Sequence, residues 1–363
     1  MPSDKYDLVA ALNFIKKMMA SLEYTNLGSS GLKVSRIALG CVQFGSGAPW
    51  MVEKDEAKKV VEKALDLGIN FFDTANIYSH GRSEEIIGEL LKDVREDVIV
   101  ATKVSNPMGS KPNQMGLSRR HIMNQVKESL MRLQTDYIDL YQTHRWDYET
   151  PIEETLSTLD GLVRQGIVRY IGASSMWAWQ FSKALHTSEM NGFVKFVSMQ
   201  NKYNLLYREE EREMIPLCKD QKIGIIPYNP TALGVLSGRY LKQGKMVLEK
   251  TDLSRLQPDN EHAPEGYVPY IEPSENAEIV KRVIEVAENK GVKPVQIGLA
   301  WLFCKGVVAP ILGTLKPEHV QEAVDSLNIR LSSQEVDYME EPYKPKLVGW
   351  LDISDLSPSA RVR

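Results

Sequence analysis

Cysteine is scarce. The 363 residues hold 3 of them, Cys41, Cys218 and Cys304, far apart and with no CxxC pair. An odd number of scattered thiols argues against a disulfide framework and for a reducing, cytoplasmic compartment, with all three thiols expected in the core. No stretch approaches the ~20 consecutive apolar residues of a membrane helix, and the N-terminus lacks the apolar run and small-residue cleavage site of a signal peptide. Charge of one sign is also missing: 44 Lys+Arg against 48 Asp+Glu leave a formal net charge of -4. With no long basic run, a nucleic-acid surface has no support. No GxGxxG follows the first apolar run and no GxxxxGK occurs, so the open-sheet dinucleotide fingerprint and the P-loop are both absent. The 6 histidines, at 80, 121, 144, 186, 262 and 319, show no HxxxH or His/Cys spacing, which leaves no metal site.

What remains is ordinary globular composition, 43% hydrophobic and 25% charged, at a length that one α/β barrel can fill. Residues 8–19 (LVAALNFIKKMM) read as a short amphipathic helix on an N-terminal extension, 1–22, with Met18 and Met19 just before the regular part of the chain. Residues 23–35 place Gly28 and Gly31 between two short alternating runs, a hairpin pattern. A unit then repeats: apolar run, loop, amphipathic helix. The runs are Ile37–Leu39, Asn70–Phe72, Val98–Ala101, Tyr137–Tyr141, Val168–Ile171, Phe196–Met199, Ile223–Ile226 and Val307–Ile311. The fourth alternates more than a doubly covered strand should. Helical patterns cover 55–67, 83–92, 119–133, 152–165, 209–220, 277–290 and 317–326. Pro151 opens one of them, followed by Glu153 and Glu154 at the positive helix end. Gly68, Gly166 and Gly291 follow last turns, where a left-handed cap favours glycine.

Eight such units, with runs apolar on both faces, predict a (β/α)8 TIM barrel over 23–345. It carries an N-terminal hairpin, a long inserted loop over 235–275 after the seventh strand, and a C-terminal tail, 346–363.

In such a barrel the chemistry sits at the C-terminal ends of the strands. Those positions are Asp73 and Tyr78 after the second strand, Lys103 after the third and His144 after the fourth. Ser174 and Ser175 follow the fifth, Gln200 and Asn201 the sixth, Tyr228 and Asn229 the seventh, and Gly313 to Lys316 the eighth. A lysine straight after VIVAT is expensive unless paired. Four of these make a coherent proton donor. A phenol with a pKa near ~10 donates poorly at neutral pH, and an ammonium beside it favours its ionised form. Asp73 would hold Lys103 charged, and His144 would either bond the substrate oxygen, where negative charge develops, or help relay the proton. His80, two residues on, reads as a solvated loop histidine.

These residues carry a resemblance. From about Glu23 to about Tyr343 the chain resembles the aldo-keto reductases, through NFFDTANIYSHGRSEEIIGELLK, VIVATKV, YIDLYQTHRWD, VRYIGASS, MQNKYNLLYREEEREMIPLC and IPYNPTALGVLSGRY. The subgroup most resembled is that of fungal aryl-alcohol dehydrogenases and secondary-metabolite reductases, related to potassium channel β subunits. The resemblance implies the tetrad Asp73, Tyr78, Lys103 and His144, with NADPH or NADP+ extended across the barrel mouth and a small carbonyl or alcohol as substrate.

It also implies cofactor contacts. Ser174, Ser175 and Gln200 fall at the nicotinamide carboxamide, and Tyr228 stacks on its ring. Asn229, Pro230, Thr231, Ala232 and Leu233 pass the pyrophosphate, with Arg239 near the phosphates. Gly313, Thr314, Leu315, Lys316, His319 and Glu322 form the adenosine and 2′-phosphate loop, at a helix start that can aim amides at a phosphate. Gly40, Cys41 and Val42 approach the ribose. Leu315 replaces a hydroxyl or basic residue, Ala323 an asparagine, and Asn229 and Thr231 the usual serine and leucine. These departures imply weaker discrimination between NADPH and NADH.

Phe44, Trp50 and Trp146, with Trp177 and Trp179, follow strand ends and fit either a pocket for a flat aromatic carbonyl or loop packing on the barrel. Two other functions stay open: a cofactor-sensing subunit like the channel β subunits, and a barrel catalysing a non-redox step. The residues assign no oligomeric state.

Overall fold

The chain was analysed as a computed structural model, which describes residues 23–247, 270, 274–346 and 348. The expected helix over 8–19, the middle of the 235–275 insertion and most of the tail lie outside the described residues. The elements run β1 Tyr24–Asn26, β2 Lys33–Ser35, β3 Ala38–Gly40, α1 Lys54–Asp66, β4 Phe71–Asp73, α2 Arg82–Leu91, β5 Ile99–Val104, α3 Arg119–Leu133 and β6 Ile138–Thr143. They continue α4 Ile152–Arg164, β7 Val168–Ser174, α5 Ala178–Asn191, β8 Ser198–Gln200, α6 Met214–Asp220, β9 Gly224–Ile225, β10 Leu241–Lys242 and β11 Lys245–Met246. The last are α7 Ser274–Lys290, α8 Pro294–Cys304, β12 Ile311–Gly313, α9 Pro317–Asp325 and α10 Ser333–Glu340.

Eight strands form one parallel sheet in the order β12-β3-β4-β5-β6-β7-β8-β9. Its two ends meet: Val308 N donates to Ile225 O at 2.9 Å and Ile311 N to Pro227 O at 2.9 Å. The sheet therefore closes on itself, which removes both edges, and the helices wrap outside. The hairpin β1–β2 crosses the opposite end. Gly28, at φ 61°, lies so close to Val197 O and Gly224 N that any Cβ there would collide with backbone.

Strand alternation sorts the barrel interior into layers, because residues two apart share a face. The lower layer is apolar: Leu27, Val34, Ala38, Phe71, Ala101, Leu140 and Ile226 form one buried cluster. Each large side chain there contributes roughly 1.5–3 kcal/mol of burial. Two residues further along, Phe71 is followed by Asp73, Ala101 by Lys103 and Leu140 by Gln142, all buried. The same fold rule that builds the floor thus places polar groups above it.

Three helices were not legible as periodic patterns. On α5 the inner face carries buried Gln180, Thr187 and Ser188, which masks its amphipathicity. On α8 every residue from Gln296 to Leu302 is buried, so no polar stripe exists. On α10, eight residues long, the pattern is too short to register. The alternation in the fourth run also misled, since all six residues of β6 are buried. Asp139 is accommodated by an ion pair to Arg95 at 2.7 Å and by Val100 N at 3.0 Å. The expectation of three core thiols needs correction: Cys41 and Cys218 are buried, but Cys304 is exposed at the last turn of α8. Gly68, Gly166 and Gly291 do adopt left-handed conformations, at φ 83°, 74° and 65°.

Candidate active site

Asp73 is the last residue of β4 and points into the barrel. Lys103 Nζ donates to Asp73 Oδ1 at 2.5 Å, to Thr74 O at 2.8 Å and to Tyr78 Oη at 3.3 Å. Lys103 is not beyond its strand, as read from the sequence, but inside it, since β5 runs to Val104. Its side chain is fully buried. Burial by itself favours the neutral amine, but the charge of Asp73 and the Tyr78 oxygen outweigh it and raise the Lys103 pKa above its ordinary value. The ammonium is therefore charged and fixed. Asp73 is held in turn: Gln142 Nε2 donates to its Oδ2 at 2.9 Å and Gln200 Nε2 to the same oxygen at 2.8 Å.

Tyr78 opens a short 3-10 turn in which Ser79 and His80 are both left-handed, at φ 47° and 50°. His80 is exposed, as expected. Further non-glycine residues with positive φ, Ser175, Asn229, Ala232 and Leu233, follow the ends of β7 and β9 on the same rim. Such backbone costs about 1–3 kcal/mol per residue and clusters where function over-determines it. His144 follows β6, with its amide bonded to Val104 O at 2.8 Å. Its ring meets Tyr78 edge-on, centroids 5.7 Å apart. Burial, then the charges of Lys103 and Arg145, hold its pKa well below the ordinary value, so the imidazole is neutral. His144 Nδ1 is buried without a hydrogen-bond partner. The structure thus brings Asp73, Tyr78, Lys103 and His144 together at one end of the barrel.

The comparisons with known proteins agree. The model of the Aldo/keto reductase family matches residues 36–344. The chain is 39% identical over 349 residues to versiconal hemiacetal acetate reductase of Aspergillus parasiticus, covering 90% of this chain and 98% of the relative. It is 40% identical over 355 residues to the aldo-keto reductase dtxS3 of Metarhizium robertsii, with coverages of 90% and 92%. A protein of Saccharomyces cerevisiae that carries the name aryl-alcohol dehydrogenase is 38% identical over 351 residues, with coverages of 90% and 99%. The chain belongs to the aldo/keto reductase family. It is accordingly an oxidoreductase of carbonyl compounds, and the family uses nicotinamide cofactors.

The rim residues of this aldo/keto reductase fit such a group. Gln200 is half engaged: its amide nitrogen bonds Asp73 and Gln142, while its Oε1 accepts no hydrogen bond among the described residues and can accept from a carboxamide. Ser174 Oγ donates to Gln200 O at 2.7 Å and lies 3.3 Å from Ser175 Oγ, leaving oxygen lone pairs at the same place. Ser175 N is fixed by Asn201 Oδ1 at 2.9 Å. Tyr228 and Asn229 are partly exposed beyond β9. Gly313 at the end of β12, and Lys316 and His319 beyond it, are exposed around the start of α9, and Thr314 Oγ1 bonds both Lys316 N and His319 Nδ1. Two further residues have contacts within the protein. Arg239 is exposed and stacks on Tyr240, ring centroid 4.4 Å away, and Glu322 is paired with Lys293 at 2.5 Å.

Among the aromatic residues, Phe44 is fully buried in the main core rather than at a pocket surface. Trp50 is partly buried, and Trp146 lies 6.3 Å from Trp179 by ring centroids. Sequence reading missed Gln142, Arg145 and Lys202. Stepping two residues from Leu140 would have found the first. The other two directly follow His144 and Asn201, and their charge drew no attention in loops full of polar residues.

Proposed function

We propose that this chain interconverts a carbonyl and an alcohol using NADPH/NADP+, with Tyr78 giving the proton to the carbonyl oxygen. The observation that supports this best is the fixed line Asp73–Lys103–Tyr78, 2.5 Å and 3.3 Å in its two links. The bound dinucleotide supplies or accepts the hydride. Everything else is done by the protein. The Lys103 ammonium stabilises negative charge on the phenol oxygen as its proton leaves. Asp73, pinned by Gln142 and Gln200, keeps that ammonium from moving. Neutral His144 presents its outer nitrogen, Nε2, to the substrate oxygen and donates a hydrogen bond to the charge that builds there. A protonated His144 beside Lys103 would add a second buried cation, which its depressed pKa avoids.

Ser174, Ser175, Gln200, Tyr228 and residues 229–233 would hold the nicotinamide end. Lys316, His319 and the start of α9 would hold the adenosine end, with Leu315 reducing the preference for a 2′-phosphate. The test is Tyr78→Phe. Reduction of an aromatic aldehyde panel, followed by the absorbance of the reduced nicotinamide, should disappear, while quenching of NADPH fluorescence on binding persists. Retained turnover would overturn the assignment. Binding of NADPH by the wild type with no turnover on any aldehyde would favour a cofactor-sensing role instead.

A further inference from the structure

Two cations beside the tetrad, Arg145 and Lys202, make no ion pair among the described residues. Lys202 is only 6% exposed, yet among the described residues no carboxylate pairs with it and no hydrogen bond satisfies it. Its ammonium lies over two aromatic rings, Tyr207 at 5.0 Å and Tyr270 at 5.3 Å from the centroids, and the Glu210 charge favours its protonated form. Glu210, buried beside this group, accepts a hydrogen bond from Asn201 Nδ2 at 2.5 Å. Arg145 is partly buried, and its Nη1 is buried with no hydrogen-bond partner. The Tyr207 hydroxyl, in the same cluster, is also buried and unpartnered.

Strand register places the cations together. Thr143 pairs with Ala173, and Ser174 with Gln200. Arg145 and Lys202 each lie two residues beyond these pairs, past the ends of β6 and β8, the strands flanking β7, and on the rim that carries His144. The Arg145 charge disfavours the protonated forms of both His144 and Lys202. A guanidinium nitrogen buried without a hydrogen bond and a lysine this buried without an ion pair, both among the described residues, cost free energy that an oxyanion seated between them would recover.

We propose that Arg145 and Lys202 bind an oxyanion carried by the substrate, so that this enzyme prefers carbonyl compounds bearing a carboxylate or similar acidic group. This rests on the reading of the mouth as a carbonyl-reducing site. Arg145 supplies planar donors suited to a carboxylate, Lys202 a point charge, and Tyr207 a further hydroxyl. Trp146 and Trp179 would flank the carbon skeleton.

The experiment compares 4-formylbenzoate with its neutral isostere 4-formylbenzamide, in the wild type, Arg145→Gln, Arg145→Lys and Lys202→Met. The wild type should favour the anion in kcat/KM by about tenfold or more. Arg145→Gln and Lys202→Met should each lower that ratio severalfold, and Arg145→Lys should retain most of it. Calorimetric titration of terephthalate in the presence of NADP+ gives a readout independent of turnover, and its affinity should fall in the same variants. Equal use of both aldehydes by the wild type would overturn the proposal, as would a ratio unmoved in both neutralising variants. So would a matching loss of NADP+ affinity, which assigns the cations to the cofactor phosphates. Terephthalate binding that depends on Arg145, without turnover of either aldehyde, would sustain this inference and overturn the proposed reaction.

Discussion

Gln142 donates its side-chain amide to Asp73 Oδ2 at 2.9 Å, reaching across the barrel from β6 to β4 over the intervening strand β5. With Gln200 on the same oxygen and Lys103 on the other, the carboxylate is bonded on three sides. Its orientation then decides where Lys103 stands, 3.3 Å from Tyr78 Oη.

Gln142→Met keeps the volume and removes that donor. A hydrogen bond to a charged group contributes about 1.5–3 kcal/mol, so urea denaturation should show a loss in that range. Because Gln142 acts through Asp73, the variant should also lower kcat more than it raises KM, and shift the basic limb of the pH profile toward higher pH. A stability loss with unchanged pH limbs would reduce Gln142 to a structural role.

The layer to which Gln142 belongs shows what was legible in the sequence and what was not. Asp73 and Lys103 stood out because titratable residues beside apolar runs are conspicuous. Gln142 did not, because the polar pair Gln142–Thr143 made β6 look finished at Tyr141. Strand ends are hard to read wherever an interior turns from apolar to polar, which is what an active-site barrel does at its mouth. The same limit hid α8, whose almost wholly apolar sequence has no period, and the lack of an ion pair at Arg145 and Lys202 among the described residues, which depends on what surrounds them. The eightfold repeat survived all this, because it rests on many glycine caps and amphipathic helices rather than on any single boundary.

Gly81 links the Tyr78 turn to α2. It is left-handed, at φ 97°, and a Cβ there would lie 2.6 Å from Arg132 Cδ. Arg132 cannot swing aside freely, since its Nε donates to the buried carboxylate of Glu84 at 2.6 Å. Gly81→Ala should therefore cost about 2 kcal/mol or more in thermal or urea unfolding. It should also reduce kcat by moving the tyrosine turn. The double variant Gly81→Ala with Arg132→Ala should recover part of the activity loss but not the backbone strain.

His144 gives a pH prediction with a definite sign. Its folded pKa lies below the ordinary 6.5, through burial first and then the charges of Lys103 and Arg145. Below pH 6.5 the unfolded chain takes up a proton that the folded one refuses, so stability falls as pH drops through that value. In His144→Gln this contribution to the fall should vanish, which denaturant titrations at pH 5, 6 and 7 would reveal as a flatter slope. Carbon-13 spectra of labelled histidine should show His144 still neutral near pH 6. An imidazolium signal there would contradict the electrostatics of the site.

Lys202 should behave in the opposite sense to a stabilising cation. Burial, then Arg145, brings its pKa down from 10.5 to about 8, although Glu210 opposes the fall. At about 1.4 kcal/mol per pH unit, the charged ammonium destabilises the fold by on the order of 3 kcal/mol. The sign follows from proton counting. Between about 8 and 10.5 the unfolded chain holds the proton and the folded chain does not, so stability rises with pH across that window. Lys202→Met should accordingly raise the unfolding midpoint at pH 7, by an amount reduced by the lost contacts with Tyr207 and Tyr270, and the gain should shrink toward pH 10. A ligand anion seated between Lys202 and Arg145 should do the reverse, raising the lysine's pKa and stabilising the wild type more than the variant. If Lys202→Met destabilises the protein at pH 7 and terephthalate stabilises both equally, the lysine is an ordinary aromatic-stacked core residue and the cation pair has no ligand to hold.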